Sequence, residues 1–195
     1  MIILFLLIDE ADRWLFYQIC FHWRHTWLDA IIPFFSYPFS NYKFALFGMA
    51  ALLIVVSRHR MRRTIIFMLL AVVISDLVSS QILKKLYGIA RPLADFGHTV
   101  TGYSFPSSHA SNTWAAIGLY QRENPRFRHV LWAVGILVCF SRIYVGDHYP
   151  CDVISGTVLG LGIGRMVHGL QLPASLTWVR LEERYRSWIT RYQSQ

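Results

Sequence analysis

Apolar runs separated by basic loops limit what this chain can fold into more than any other feature. They extend from Phe44 to Val56, Thr64 to Leu83, Ala110 to Tyr120, His129 to Phe140 and Val153 to Val167. A helix that crosses a bilayer needs roughly 17–25 mainly apolar residues. The shorter runs reach that length only if flanking aromatic and basic residues share the interface. Of the 195 residues, 54% are hydrophobic and 15% aromatic, above the usual soluble range. The expected fold is all-α, a polytopic transmembrane helix bundle of five to six spans in one domain.

The N-terminal part departs from this rhythm. "MIILFLLI" is too short to cross, and Asp9 and Glu10 stand where a cleaved signal would want small residues, so it reads as an anchor or the stub of a span. Trp14, Phe16, Tyr17, Phe21, Trp23 and Trp27 then mix with Arg13, Arg24 and His25, the composition of a helix lying in the headgroup layer. Residues 1–41 are therefore read as interfacial and entry helices, 42–170 as the transmembrane core and 171–195 as a basic cytoplasmic tail.

The net charge of +8 is concentrated in "SRHRMRR" at 57–63, "QRENPRFRH" at 121–129 and the segment from Arg180 to Arg191. Alternating spans put all three on one side, the positive-inside pattern. That placement argues for a bilayer rather than nucleic acid as partner. It also puts the connections at 84–108 and 141–152 on the outer face. The three cysteines show no metal-ligand spacing and leave an odd count.

Three groups of polar residues lie on that outer face. In "KKLYGIARP", Gly88 suits a helix C-terminus and Pro92 prevents resumption, so Lys84, Lys85 and Arg91 emerge at the surface. In "SFPSSHASN", Ser104 is expected to cap a helix with Pro106 in its first turn. The amides around Ser107, Ser108 and His109 then point outward at the positive end of the dipole, where anions bind. In "SRIYVGDHYPCD", Pro150 starts the last helix, and Asp152 in its first turn is expected to orient one nitrogen of His148. The other nitrogen is then available as base or nucleophile.

Each group alone has an ordinary structural reading: snorkelling anchors, a capped helix, a carboxylate favourable to a helix dipole by about 0.3–1 kcal/mol. Together they supply a cationic field from Lys84, Arg91 and Arg142, two helix starts and two imidazoles. Phosphoryl transfer needs that combination of neutralised oxygens, an in-line nucleophile and an acid for the leaving oxygen. Two histidines and Asp152 can also bind iron or zinc, but three neighbouring cations oppose a divalent ion.

Lys84 followed by Arg91-Pro92, "PSSH" at 106–109, and Ser141-Arg142 followed by His148 and Asp152 closely resemble the three-part signature of the type 2 phosphatidic acid phosphatase (PAP2) superfamily of membrane lipid phosphatases. The resemblance implies that His148 attacks phosphorus to form a phosphohistidine, that Asp152 orients it, and that His109 protonates the leaving group and later activates water. It implies that Lys84, Arg91, Ser107, Ser108 and Arg142 hold the phosphate, the last serine through its amide, and that no metal or other cofactor is needed. One position departs: where the family usually has glycine between serine and histidine, this chain has Ser108. The signature also occurs in soluble vanadate-dependent haloperoxidases, which the apolar runs disfavour.

The resemblance further implies a bacterial cytoplasmic (inner) membrane enzyme with its site on the periplasmic face. Its substrate would be a lipid phosphate monoester or diphosphate, with undecaprenyl diphosphate favoured because the loops are short. Lipid A and phosphatidylglycerophosphate or phosphatidate are the alternatives. The rival of another class is a non-catalytic protein that binds or moves anionic lipids. Asp76, inside the Thr64 to Leu83 run, costs at least about 2.5 kcal/mol if charged and unpaired. Ser75, Ser79 and Ser80 are expected to solvate it. Gly156, Gly160 and Gly164 read as close packing within the bundle, with a homodimer contact as the alternative. Asp147 falls outside the signature and is assigned no catalytic role.

Overall fold

A computed structural model of the chain describes residues 2–36, 48, 59–93 and 101–193. Among them every regular element is helical. Helix α1 (Ile2–Tyr17) runs into a π-type turn (Gln18–His22) and is followed by α2 (Thr26–Ser36). Helix α3 (His59–Asp76) widens into π-type turns over Leu77–Leu83 and closes with one α-turn, Lys84–Tyr87. Gly88 ends it in the left-handed region, at φ 59°, with its N–H on the Lys84 carbonyl, a conformation glycine adopts without Cβ strain. Then come α4 (Ser108–Glu123), α5 (Arg128–Tyr144) and α6 (Pro150–Gln193).

Among the described residues three segments are long and apolar enough to cross a membrane: Arg63–Tyr87, Pro125–Tyr144 and Pro150–Leu170. They expose apolar side chains such as Leu69, Val73, Ile136, Leu137, Ile154 and Val158, as hydrocarbon-facing surfaces must. The expected run at 44–56 lies outside the described residues except for Gly48, so the count of five to six includes a segment not described. The expected run at 110–120 belongs to α4, whose 16 residues extend only about 24 Å. It is the central helix, with Ala110, Ser111, Trp114, Ala115 and Leu119 all buried.

The glycines of α6 explain how α4 is held. A Cβ on Gly156 would come to 2.5 Å from the Ser107 carbonyl oxygen. On Gly160 and Gly164 it would collide with the carbonyl oxygens of Ser111 and Ala115. The two backbones are thus in direct contact, which only residues without side chains permit. All three glycines pack within the chain.

The N-terminal segment docks on the opposite flank, where Phe16, Ile19 and Cys20 are buried with Tyr144. Its Asp12 accepts a hydrogen bond from the Cys151 N–H at 2.8 Å, satisfying one of the open amides at the start of α6. Trp14, Trp23 and Trp27 are exposed. At the other end the expected tail continues α6 as helix to Gln193. The 44 residues of α6 make about 66 Å of helix, roughly twice the hydrocarbon thickness of a bilayer.

Candidate active site

Three chain turns meet at one end of the bundle: the exit of α3, the entry of α4, and the α5–α6 connection. They enclose a cavity of about 510 Å³ whose wall includes Lys84, Arg91, Ser108, His109 and His148. Residues that span 84–148 in sequence therefore share one space, as the charge argument requires.

His148 is 1% exposed and lines the cavity. Its Nδ1 lies 3.7 Å from Asp152 Oδ2, too long for the direct hydrogen bond expected from the sequence. Ser104 fills the gap. Its buried hydroxyl donates to Asp152 Oδ2 and lies 3.3 Å from His148 Nδ1, so the carboxylate acts on the ring largely through a serine. With the Ser104 proton on Asp152, the serine oxygen accepts from Nδ1–H. That tautomer leaves the Nε2 lone pair for chemistry. The Tyr149 N–H also donates to Asp152 Oδ2, at 2.9 Å.

Burial lowers the His148 pKa to about 4; Asp152 opposes that shift, while Lys84 and Arg142 add to it. The ring is thus neutral at physiological pH, the form a nucleophile needs. His109 is brought to about 4 by the protein around its ring and then by the charge of Arg142. An arriving phosphate dianion reverses the electrostatic part of that shift, so substrate binding itself favours the protonated acid.

The start of α4 differs from expectation. The N-cap is Ser107, not Ser104; its hydroxyl accepts from the Ala110 N–H and its own N–H donates to the Asp152 carbonyl at 3.0 Å. Ser107 is fully buried and does not line the cavity, so its contribution is to position the amides that follow. The N–H groups of Ser108 and His109 fall in the first turn, without intrahelical acceptors, and are the donors an anion would meet.

Lys84 Nζ donates to the Ser104 carbonyl at 3.1 Å and to the Tyr103 carbonyl, leaving one of its three protons for a ligand. Arg91 donates through Nη1 to Asp147 Oδ1 at 2.8 Å, and Arg142 pairs with the other oxygen of the same carboxylate. Asp147, which falls outside the signature, bridges two of the three cations. It holds their guanidinium groups beside the cavity and offsets their repulsion. Arg142 is 2% exposed and lies behind this bridge rather than on the cavity wall.

Below the cations the wall turns polar without being positive. Asp76 Oδ1 lies 3.0 Å from the Ser80 hydroxyl and accepts from Asn112 Nδ2 at 3.0 Å. Ser80 is also 2.8 Å from the Ser108 hydroxyl. Of the serines expected around Asp76, only Ser80 reaches its carboxylate: Ser75 bonds to Ser111, and Ser79 to the Asp76 backbone carbonyl. Phe35 of α2 also lines the cavity. Among the described residues no group of three or more His, Cys, Asp or Glu is placed to hold a metal ion.

Comparison with known proteins decides the family. The profile of the PAP2 superfamily matches residues 64–174, more than half of the chain. The chain belongs to the PAP2 superfamily. It is 33% identical over 124 residues to the lipid A 4'-phosphatase of Porphyromonas gingivalis, covering 57% of this chain and 52% of that protein. It is 34% identical over 96 residues to the undecaprenyl-diphosphatase BcrC of Bacillus subtilis, covering 47% and 50%. This PAP2 chain thus spans about half the length of the curated relatives it matches. A transmembrane PAP2-type phosphatidylglycerolphosphate phosphatase from Bacillus subtilis shares its fold, with a TM-score of 0.66 at 22% identity over 86% of this chain and 87% of that one.

Proposed function

We propose that this PAP2 protein hydrolyses the phosphate monoester or diphosphate of a membrane lipid by two in-line displacements through His148, without a metal. The observation that carries the reading is the buried His148, held on its Nδ1 side by Ser104 and Asp152 while the ring lines a cationic cavity. Nε2 attacks phosphorus and forms the N–P bond as the P–O bond to the lipid breaks. His109 gives its proton to the leaving lipid oxygen. His109, now neutral, takes a proton from water, whose oxygen attacks the phosphohistidine. The N–P bond breaks and inorganic phosphate leaves. Lys84, Arg91 and the amides of Ser108 and His109 balance the charge on the equatorial oxygens, with Arg142 and Asp152 acting from behind.

The relatives act on lipid A and undecaprenyl diphosphate, by their names, and this site is read as taking an amphiphile of that kind. The basic segments at 121–129 and beyond 180 lie at the far end of the helices from His148, which supports a site on the periplasmic face of a bacterial inner membrane. The exposed tryptophans of the N-terminal segment suit the headgroup layer on the site's side. Simple lipid binding or transport would need the cations but not an oriented imidazole.

The test is phosphate release by the purified chain in detergent, with EDTA, from prenyl diphosphate, lipid A and glycerophospholipid phosphates. The expected result is release from at least one substrate and a loss of about 10⁴-fold in kcat for His148→Ala. Equal release by that variant, no release from any substrate, or strict dependence on added metal would overturn the reading.

A further inference from the structure

Two features remain outside the phosphate chemistry: a carboxylate inside a membrane span, and a serine where the family signature usually has glycine. The structure joins them. Ser80 lies between Asp76 and Ser108, at 3.0 and 2.8 Å from their oxygens. One hydroxyl carries one proton, so Ser80 donates it either to the Asp76 carboxylate or to the Ser108 hydroxyl. Glycine at 108 could not make that bond. Asn112, one turn along α4, donates to the same Asp76 oxygen.

This network does not close on itself. Asp76, Ser80, Ser108 and Asn112 all line the cavity that holds Lys84, Arg91 and His148. Asp76 Oδ1 has two donors, whereas among the described residues Oδ2 receives no hydrogen bond. A carboxylate needs donors at both oxygens when water is scarce. Asn112 lies about 6 Å, one helical turn, below the phosphate-facing start of α4. Phe35, Val72 and Val138 supply apolar wall to the same cavity, a surface for hydrocarbon.

We infer that Asp76, with Ser80 and Asn112, forms a second subsite that binds a hydrogen-bond donor on the lipid's own scaffold, a hydroxyl or amide N–H of a sugar or polyol carrying the phosphate. The inference rests on the phosphatase reading only for where the phosphate sits. A prenyl chain offers no donor at that distance and would set hydrocarbon against the open carboxylate oxygen. The subsite therefore favours phosphorylated glycolipids or polyol lipids over prenyl phosphates.

The experiment measures binding, so that it stands apart from turnover. The full-length His148→Ala variant in detergent is titrated with an acylated glucosamine 1-phosphate, with its counterpart whose free hydroxyls are methylated, and with farnesyl phosphate. The sugar lipid should bind about tenfold tighter than either of the others, and adding Asp76→Leu should abolish that preference while farnesyl phosphate changes less than twofold. Equal binding of the three ligands overturns the subsite. So does a preference that survives Asp76→Leu, or an equal weakening of all three by it. If Asp76→Leu does not fold, the methylated counterpart decides alone. Absence of phosphate release by the wild-type chain, with the binding pattern intact, would instead defeat the phosphatase reading and leave the subsite standing.

Discussion

Helices α4 and α6 meet twice, and the two meetings are built on opposite principles. Inside the bundle, Gly156, Gly160 and Gly164 bring α6 onto the backbone carbonyl groups of α4. At the site end the Ser107 N–H donates to the Asp152 backbone carbonyl, and the side chains of Ser104, His148 and Asp152 lie beside it. The seam fixes a register, and the site depends on that register. A change in the seam should therefore cost stability and activity together, whereas a change in the site should cost activity alone.

The largest separation is expected at His109, the proposed acid for the leaving group. His109→Ala should lower kcat by about 10²–10³-fold on lipid substrates. The loss should be smaller on an aryl phosphate whose leaving oxygen needs no proton, with the melting temperature unchanged. Equal losses on both substrates would remove His109 from the acid's role.

Breaking the seam should give the reverse pattern. Gly160→Ala places a Cβ against the Ser111 carbonyl and the Ala115 amide, where only backbone can yield. A destabilisation of about 3 kcal/mol is expected, read as a lower denaturant midpoint together with reduced kcat/KM. Activity lost without any loss of stability would show that the seam does more than packing.

Asp147 lies between the two patterns. Asp147→Ala leaves Arg91 and buried Arg142 without their shared counterion, a loss of up to about 3 kcal/mol. KM for the phosphate lipid should change more than kcat, because the cations stay but their placement loosens.

Stability should also depend on pH. His148 and His109 both titrate near 4 in the folded chain, below the ordinary 6.5. Between those values the unfolded chain binds more protons than the folded one, so stability is fully present above about pH 6.5 and falls as pH drops towards 4. The melting temperature should decline steadily across that window, and the slope should flatten in His148→Ala.

How legible this was in the sequence follows from the same division. The bundle was readable in the apolar runs and in glycines at four-residue spacing. Lys84, Arg91, His109, His148 and Asp152 were readable because phosphoryl transfer demands those residue types. Contacts that join elements distant in sequence were not readable. Ser104 lies 44 residues before His148, and nothing local distinguishes it from a helix cap, the role it was assigned and Ser107 in fact fills. Asp147 looked superfluous because its two arginine partners come from different elements. The donors to Asp76 were expected from neighbouring serines, but Asn112 on α4 provides one of them. The 16-residue α4 shows why span counting by apolar length is loose: its environment is supplied by other helices, not lipid.

The most direct measurement is chemical trapping of the enzyme during turnover. Lipid substrate labelled in its phosphoryl group is mixed with the protein, quenched under conditions that preserve phosphoramidates, and mapped by peptide mass spectrometry. The predicted result is a phosphoryl group on His148, formed in the His109→Ala variant as well but removed more slowly there. A phosphoryl group on another residue, or turnover with no phosphoryl-enzyme at any quench time, would contradict the assignment of His148 as the nucleophile.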